Sequence, residues 1–412
     1  MRIPGGADGR RMLAVTCVDK IGSGLWGATA ALYFTYVAGL GTAEIGLLLG
    51  ASGAIGIAGP PLGGFLADRV PLRPLLIVIQ IVRAAASLAL LTTTDLFALL
   101  AIAAAGSLGD RASAVLTKLY ATRVAGPDRA RYQALNRTSS NIGWAVGGLV
   151  AAAALTAGSA TVYRGLLVGD ALSFLAAAAL TLRCGEPPSA SRLVTTGPKA
   201  PDATSPANPW RDRRYLAYTA TEAVLFLDDS VFKIGLALWA VTATTAPHGL
   251  VPLLLVLNNV LVICFQVPFA RFGTTRHAAR RALLPLAAVF LAGGAAFAAS
   301  ATGTPWLAAV ALTLAATAFT VAEMLHATVS WELSVSLAPP TAQGAYLGVH
   351  GLAQAVQRSV GPLAVTAAIA VGPAGWLAFG TGLAAMCCAQ WRLVRDPDDR
   401  ALSVPSVTVS EH

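Results

Sequence analysis

Long apolar runs, each close to the length of helix that crosses a bilayer, recur from one end of this chain to the other. A hydrocarbon core takes about 20 apolar residues per helix, and the 412 residues divide into about twelve such runs. Only 12% of the residues are charged, against 56% hydrophobic, and mean hydropathy is +0.66. A soluble domain carries about 25% charged residues, so the chain reads as a polytopic membrane protein. The runs are continuous and not alternating, which excludes an outer-membrane β-barrel. An all-α fold of 12 transmembrane helices is expected. The second is expected over about Ala43–Ala67, the fourth over Leu96–Tyr120, the fifth over Thr138–Ala157, the seventh over Tyr215–Thr242 and the tenth over Trp306–Ala327.

A net charge of +9 would suit a nucleic-acid binder, but its placement argues for something else. With the N-terminus inside, most of the 29 Lys and Arg fall in segments on that side, among them Arg10, Arg11, Arg69, Arg73, Arg129, Arg276 and Arg280. Only Arg164 falls in an external segment. Cytoplasmic loops collect Lys and Arg, so both termini are expected in the cytoplasm, the expected membrane is the inner, cytoplasmic membrane of the cell, and no nucleic-acid partner is expected. Cys17, Cys184, Cys264, Cys387 and Cys388 all lie in or beside apolar runs, which predicts no disulfide framework. Arg10 and Arg11 before an apolar run imitate a signal peptide. That run holds Asp19 and Lys20 and is too long for one, so it is read as a retained first span.

After six runs the composition changes. Gly185 to Pro209 is rich in proline, serine and threonine and has no apolar period, which predicts a linker. The expected layout is an N-terminal six-helix bundle over 1–184, a cytoplasmic linker over 185–210, a C-terminal six-helix bundle over 211–395 and a cytoplasmic tail over 396–412. Six runs, a linker and six runs suggest an internal duplication. Setting Pro61 on Pro268 places Arg69 on Arg276, Arg73 on Arg280 and Asp68 on Thr275. A competing match, Lys20-Ile21-Gly22 with Lys233-Ile234-Gly235, is offset from the first.

Gly63-Gly64-Phe65-Leu66-Ala67-Asp68-Arg69-Val70-Pro71-Leu72-Arg73 joins the second and third runs. Asp68 lies at a helix C-terminus, where the dipole repels an anion. It needs a partner: Arg69, Arg73 or the N-terminus of a neighbouring helix. These residues resemble the signature loop of the major facilitator superfamily, G-x-L-x-D-R-x-G-R-R/K. Gly64, Leu66, Asp68, Arg69 and Arg73 match, while Pro71 and Leu72 depart from it. The resemblance implies the major facilitator fold, with spans 1, 4, 7 and 10 lining a central cavity. It also implies a conformational gate at Gly64, Asp68, Arg69 and Arg73. On the fifth run, Gly143, Gly147 and Gly148 permit close helix packing. They partly resemble the antiporter motif of the drug:proton antiporter, or multidrug efflux, branch.

Ionisable groups inside spans are costly and point to function. Asp19, Asp110, Glu222, Asp228, Asp229 and Glu323 are the proton-coupling candidates. In a straight helix, Glu222, Asp229 and Lys233 share a face and Asp228 points about 100° away. Lys20, Trp26, Tyr33, Arg111, Phe226, Phe232, Lys233, Trp239 and His326 are the substrate-cavity candidates. Six acids against Lys20, Arg111 and Lys233 predict a net negative cavity. A carboxylate in a low-dielectric setting prefers its neutral form, so proton and cation can compete for it. The expected function is secondary active export of a small, lipophilic cation in exchange for protons, with a monomer as the working unit. Proton-coupled uptake of a small metabolite is the alternative. A non-transporting sensor or scaffold would need more non-apolar surface than the proline-rich segment offers. Gly22-Ser23-Gly24-Leu25-Trp26-Gly27 imitates a dinucleotide loop, but no strand precedes it. No zinc, phosphate-loop or nucleophile-elbow pattern occurs, so no cofactor, metal or enzymatic activity is expected.

Overall fold

The computed structural model describes residues 3–189, 207–247 and 249–395. Most of the segment expected to be a linker, and the expected tail, lie outside the described residues. Within them the chain is helical, without a strand. The first part of the chain forms α1 (Gly6–Tyr36), α2 (Thr42–Gly56), α3 (Gly59–Ala67), α4 (Leu72–Ala89), α5 (Leu96–Ala125), α6 (Arg129–Leu155) and α7 (Ala160–Thr181). The second forms α8 (Arg213–Leu225), α9 (Leu236–Ala243), α10 (Leu250–Phe269), α11 (Arg276–Ala299), α12 (Pro305–Ser336), α13 (Gln343–Val371) and α14 (Pro373–Leu393).

Local sequence explains most of the boundaries. Asp95 accepts from the Ala98 amide (2.8 Å) to start α5, and Asp212 accepts from Tyr215 (2.9 Å) to start α8. Such caps satisfy amides that have no partner within the helix. The second run, expected as one helix, is two. Gly59-Pro60-Pro61 interrupts it, because proline has no N–H to donate. The basic stretch expected as a loop up to Arg137 is helical from Arg129 onward, so Arg129 and Arg137 stand on α6.

Seven stretches among the described residues are long and apolar enough to cross a membrane, from Thr42–Ala67 to Pro305–Ser336. Their outward residues are apolar: Leu149, Leu253 and Leu314 are at least 60% exposed. That is the side-chain chemistry a lipid-facing surface requires.

The helices pack as two sets. In the first, α1 lies against α6 and α7, while α5 packs against α2, α3 and α4. In the second, α11 lies against α12 and α14, and α8 against α13 and α14. The core of the second set is aromatic, with Phe297 and Trp376 stacked at 4.1 Å. The sets meet where α3 and α5 touch α13, and where α6 touches α10 and α12. The proposed repeat has a structural echo. The Arg73 guanidinium donates to the Leu182 carbonyl just beyond α7, and Arg280 Nε donates to the Trp391 carbonyl in α14 (3.0 Å).

Candidate functional site

The seventh run is expected as one straight helix, and the structure breaks it. After α8 the chain tightens into a 3₁₀ turn over Phe226–Asp228 and then widens into a π-helical turn over Val231–Gly235. No proline lies in this stretch. Wide turns of this kind mark functional positions in many helices. The neighbouring α13 fits the break closely. Gln357 donates to Ser230 Oγ (2.8 Å), and a Cβ at Gly361 would lie 2.1 Å from that same oxygen.

The break changes which acids meet. Glu222 and Asp228 converge on one imidazole: His326 Nδ1 is 3.2 Å from Asp228, and His326 Nε2 is 3.5 Å from Glu222. The expected grouping of Glu222 with Asp229 and Lys233 is therefore corrected. Asp229 and Lys233 pair with each other at 2.5 Å on a more exposed face. Glu222 is fully buried, accepting from Ser330 Oγ (2.5 Å) and Gln390 Nε2 (2.7 Å), with His350 Nε2 at 3.5 Å. Phe226 lies against both imidazoles, with ring centroids 4.9 Å and 5.9 Å away.

This cluster forms one wall of a cavity of about 210 Å³ that both helix sets line. From the first set come Arg111 and Lys118 on α5 and Arg137 on α6. From the second come Phe226, Asp228 and Asp229, then Glu323 and His326 on α12, and His350 and Arg358 on α13. Four bases (Arg111, Lys118, Arg137, Arg358) thus face three acids (Asp228, Asp229, Glu323). The expectation of a net negative cavity is overturned. Asp19 and Asp110 are drawn off by a base that the sequence reading left unassigned. Arg83, buried on α4, donates to Asp19 and reaches Asp110 at 3.0 Å. A lone arginine in an apolar run was the available signal. Arg358 holds the other oxygen of Asp110 at 3.2 Å.

Several expected cavity residues lie outside its lining. Lys20 pairs with Asp19 at 3.2 Å. Trp26 packs edge-on against Phe34, and Tyr33 donates to the Leu90 carbonyl (2.8 Å). Phe232 packs against the aromatic core, and Trp239 is buried within it, donating to Ser300 Oγ (2.9 Å). Of these, Tyr33 and Trp239 are buried, and each finds its partner outside the cavity. Glu323 and His326, adjacent on α12, part company: Glu323 pairs with Arg137 across the two sets and accepts from Asn258 (2.9 Å).

One end of the cavity is shut. Asp68 accepts from the amides of Gly344 (3.0 Å) and Ala345 (2.7 Å) at the start of α13, with Arg123 at 3.7 Å. An anion at a helix N-terminus answers both the free amides and the dipole. Gly64 makes room for this contact, since a Cβ there would lie 2.1 Å from the Gly344 carbonyl. Arg129 grips Glu332 through two hydrogen bonds of 2.7 Å, and Lys118 donates to Ser334 Oγ (2.7 Å). Glu332 lies beyond the expected end of the tenth span, so the sequence reading missed it. Arg69 turns away to stack on Phe65, and the Arg73 amide donates to Glu186 (2.9 Å), so neither crosses between the sets. On α6, a Cβ at Gly143 would lie 2.4 Å from the Cys17 carbonyl, and one at Gly147 2.1 Å from that of Ile21. A Cβ at Gly148 would meet nothing within 4 Å, so the expected packing role does not extend to it.

Two helix sets clasping a charged cavity, shut at one end and apolar outside, have the construction of a membrane carrier. The profile of the Major Facilitator Superfamily matches residues 12–362, and the chain belongs to that family of transporters. Among solved structures, the transporter FucP in its outward conformation superposes with a TM-score of 0.69 at 16% identity, over 95% of this chain and 99% of that one. A bacterial homologue of the iron transporter ferroportin, outward-facing, gives 0.67 at 15% identity, over 94% and 98%. The human organic anion transporter MFSD10 gives 0.60 at 17%, over 94% and 99%. At such identities the likeness is one of fold. A comparison with curated proteins finds no match.

Proposed function

We propose that this chain is a proton-coupled secondary active transporter of a small polar solute, working by alternating access between two six-helix bundles, 1–184 and 211–395. On this reading twelve spans cross the cytoplasmic membrane, both termini lie in the cytoplasm and the monomer is the working unit. The shut end is then cytoplasmic and the cavity faces outward.

The observation that carries the reading is His326, held between Glu222 and Asp228 at the wall of a cavity lined from both sets. Two carboxylates and two imidazoles meet in one buried cluster, and imidazole is the side chain whose charge changes nearest neutral pH. A proton gained or lost there alters the charge presented to a solute, which couples the two occupancies. The drive is about 2.3 kcal/mol per charge per 100 mV, with about 1.4 kcal/mol more per pH unit.

A second reading, export of a lipophilic cation in exchange for protons, draws on the tight fit of Gly143 and Gly147 against α1, where the antiporter resemblance lies. The excess of bases lining the cavity counts against a cationic solute. Purified protein in liposomes, with a solute found by ligand-stabilisation screening, decides between them. Cotransport predicts accumulation on the side opposite the acid bath, and exchange predicts accumulation on the acid side. In either case Asp228→Asn and Glu222→Gln are expected to abolish gradient-driven accumulation and leave solute counterflow intact. Full gradient-driven transport by both variants would remove this cluster from the coupling.

A further inference from the structure

The acids that line the cavity are engaged: Asp228 with His326, Asp229 with Lys233 and Glu323 with Arg137. Two of its four bases are engaged likewise, Arg137 with Glu323 and Arg358 with Asp110. The other two are not. Among the described residues, neither Arg111 nor Lys118 has a carboxylate within ion-pair distance.

Arg111 is 7% exposed, with its Nε unbonded and only one long contact, 3.4 Å, from its guanidinium to the Ala355 carbonyl. Lys118 donates to Ser334 Oγ and rests 4.9 Å from the Trp331 ring centroid. Both line the cavity. They stand seven residues apart on α5, so they share a face about 10 Å apart along the axis. A buried guanidinium without a counter-ion is costly. A planar fork of donors is also the geometry that matches a carboxylate or phosphate group.

We propose that Arg111 and Lys118 form an anion subsite, and that the transported solute is a small organic anion whose carboxylate, phosphate or sulfonate group docks on Arg111 while its body extends along α5 toward Lys118. The same cavity is lined by the apolar Ala114, Val115 and Gly351 and the polar Gln354 and His350. A cavity of about 210 Å³ is smaller than the roughly 300 Å³ at which drug-sized sites begin, which fits a compact metabolite. This inference rests on the carrier reading above, but it concerns binding and not coupling.

The test is equilibrium binding to the purified full-length protein in detergent, with acetate, benzoate, succinate, inorganic phosphate and methanesulfonate as anionic probes. Tetraphenylphosphonium is the cationic probe. At least one anion is expected to bind the wild type saturably and to raise its unfolding temperature. Arg111→Gln and Lys118→Gln should each weaken that binding at least tenfold, and Arg111→Lys should weaken it less than Arg111→Gln. Arg213→Gln, the same charge change on the exposed surface, should leave it unaltered. The subsite is overturned if no anion binds, if both cavity variants bind as the wild type does, or if only tetraphenylphosphonium binds. Should Arg111→Gln fail to fold, Lys118→Gln and Arg111→Lys carry the test. Binding that survives alongside a loss of gradient-driven transport in Asp228→Asn would keep the subsite; intact transport in that variant would fault the coupling reading alone.

Discussion

Arg83 shows what one side chain decides. It sits 3% exposed on α4, joins Asp19 of α1 to Asp110 of α5, and lies over the Phe174 ring at 3.9 Å. Removing one partner of a buried pair leaves an uncompensated charge and costs about 3–5 kcal/mol. Arg83→Met is therefore expected to lower the unfolding temperature in detergent, because Asp19 is left with Lys20 alone and Asp110 with Arg358 alone, and the buried bridge between them is lost. A melting curve unchanged from wild type would mean that water already reaches those acids. The acids themselves were legible from sequence, since carboxylates in apolar runs are conspicuous. Their partners were not. Arg83 lies 64 residues from Asp19 in sequence, and nothing local in α4 says which neighbour it faces.

At the scale of the element, two glycines one residue apart make a controlled pair. Gly147 faces the Ile21 carbonyl and Gly148 faces open space. Overpacking a tight contact costs about 1–3 kcal/mol, whereas an unhindered surface change stays within about 0.5 kcal/mol. Gly147→Ala should thus destabilise the α1–α6 contact, and Gly148→Ala should be silent, as read from paired thermal unfolding curves. Equal effects from the two would refute the packing described. The break after α8 belongs to this scale too. Apolar periodicity carried the seventh run straight through Phe226–Gly235, and that straight helix placed Asp228 away from Glu222. The 3₁₀ and π turns instead bring both carboxylates to His326. Local propensity holds no signal for this, since the irregular turns are held by packing against Gly361 and Gln357 of α13.

For the whole molecule, the shut end is where the two helix sets meet through α3, α5 and α13. Asp68 on the α13 amides, Arg129 on Glu332, and the backbone approach of Gly64 to Gly344 are all on one side of the cavity. Gly64→Leu forces the sets apart at that contact, and Glu332→Gln removes the charge that Arg129 grips. Spin labels placed on the two helix sets near Arg129 and Ser336 should report longer separations in both variants, with Gly64→Leu the larger shift. Unchanged separations would show that closure rests on something other than these contacts. The sequence alone settled the solvent and the helical class, because apolar run length and sparse charge admit few solutions in a bilayer, while the resemblance to the family rested on the loop residues Gly64, Leu66, Asp68, Arg69 and Arg73. It also singled out Asp68 as an acid in need of a partner. Tertiary structure decided which partner, which charges face water together and that bases outnumber acids in the cavity. Those outcomes depend on how helices rotate and meet, and a one-dimensional pattern fixes each helix's face without fixing what that face meets.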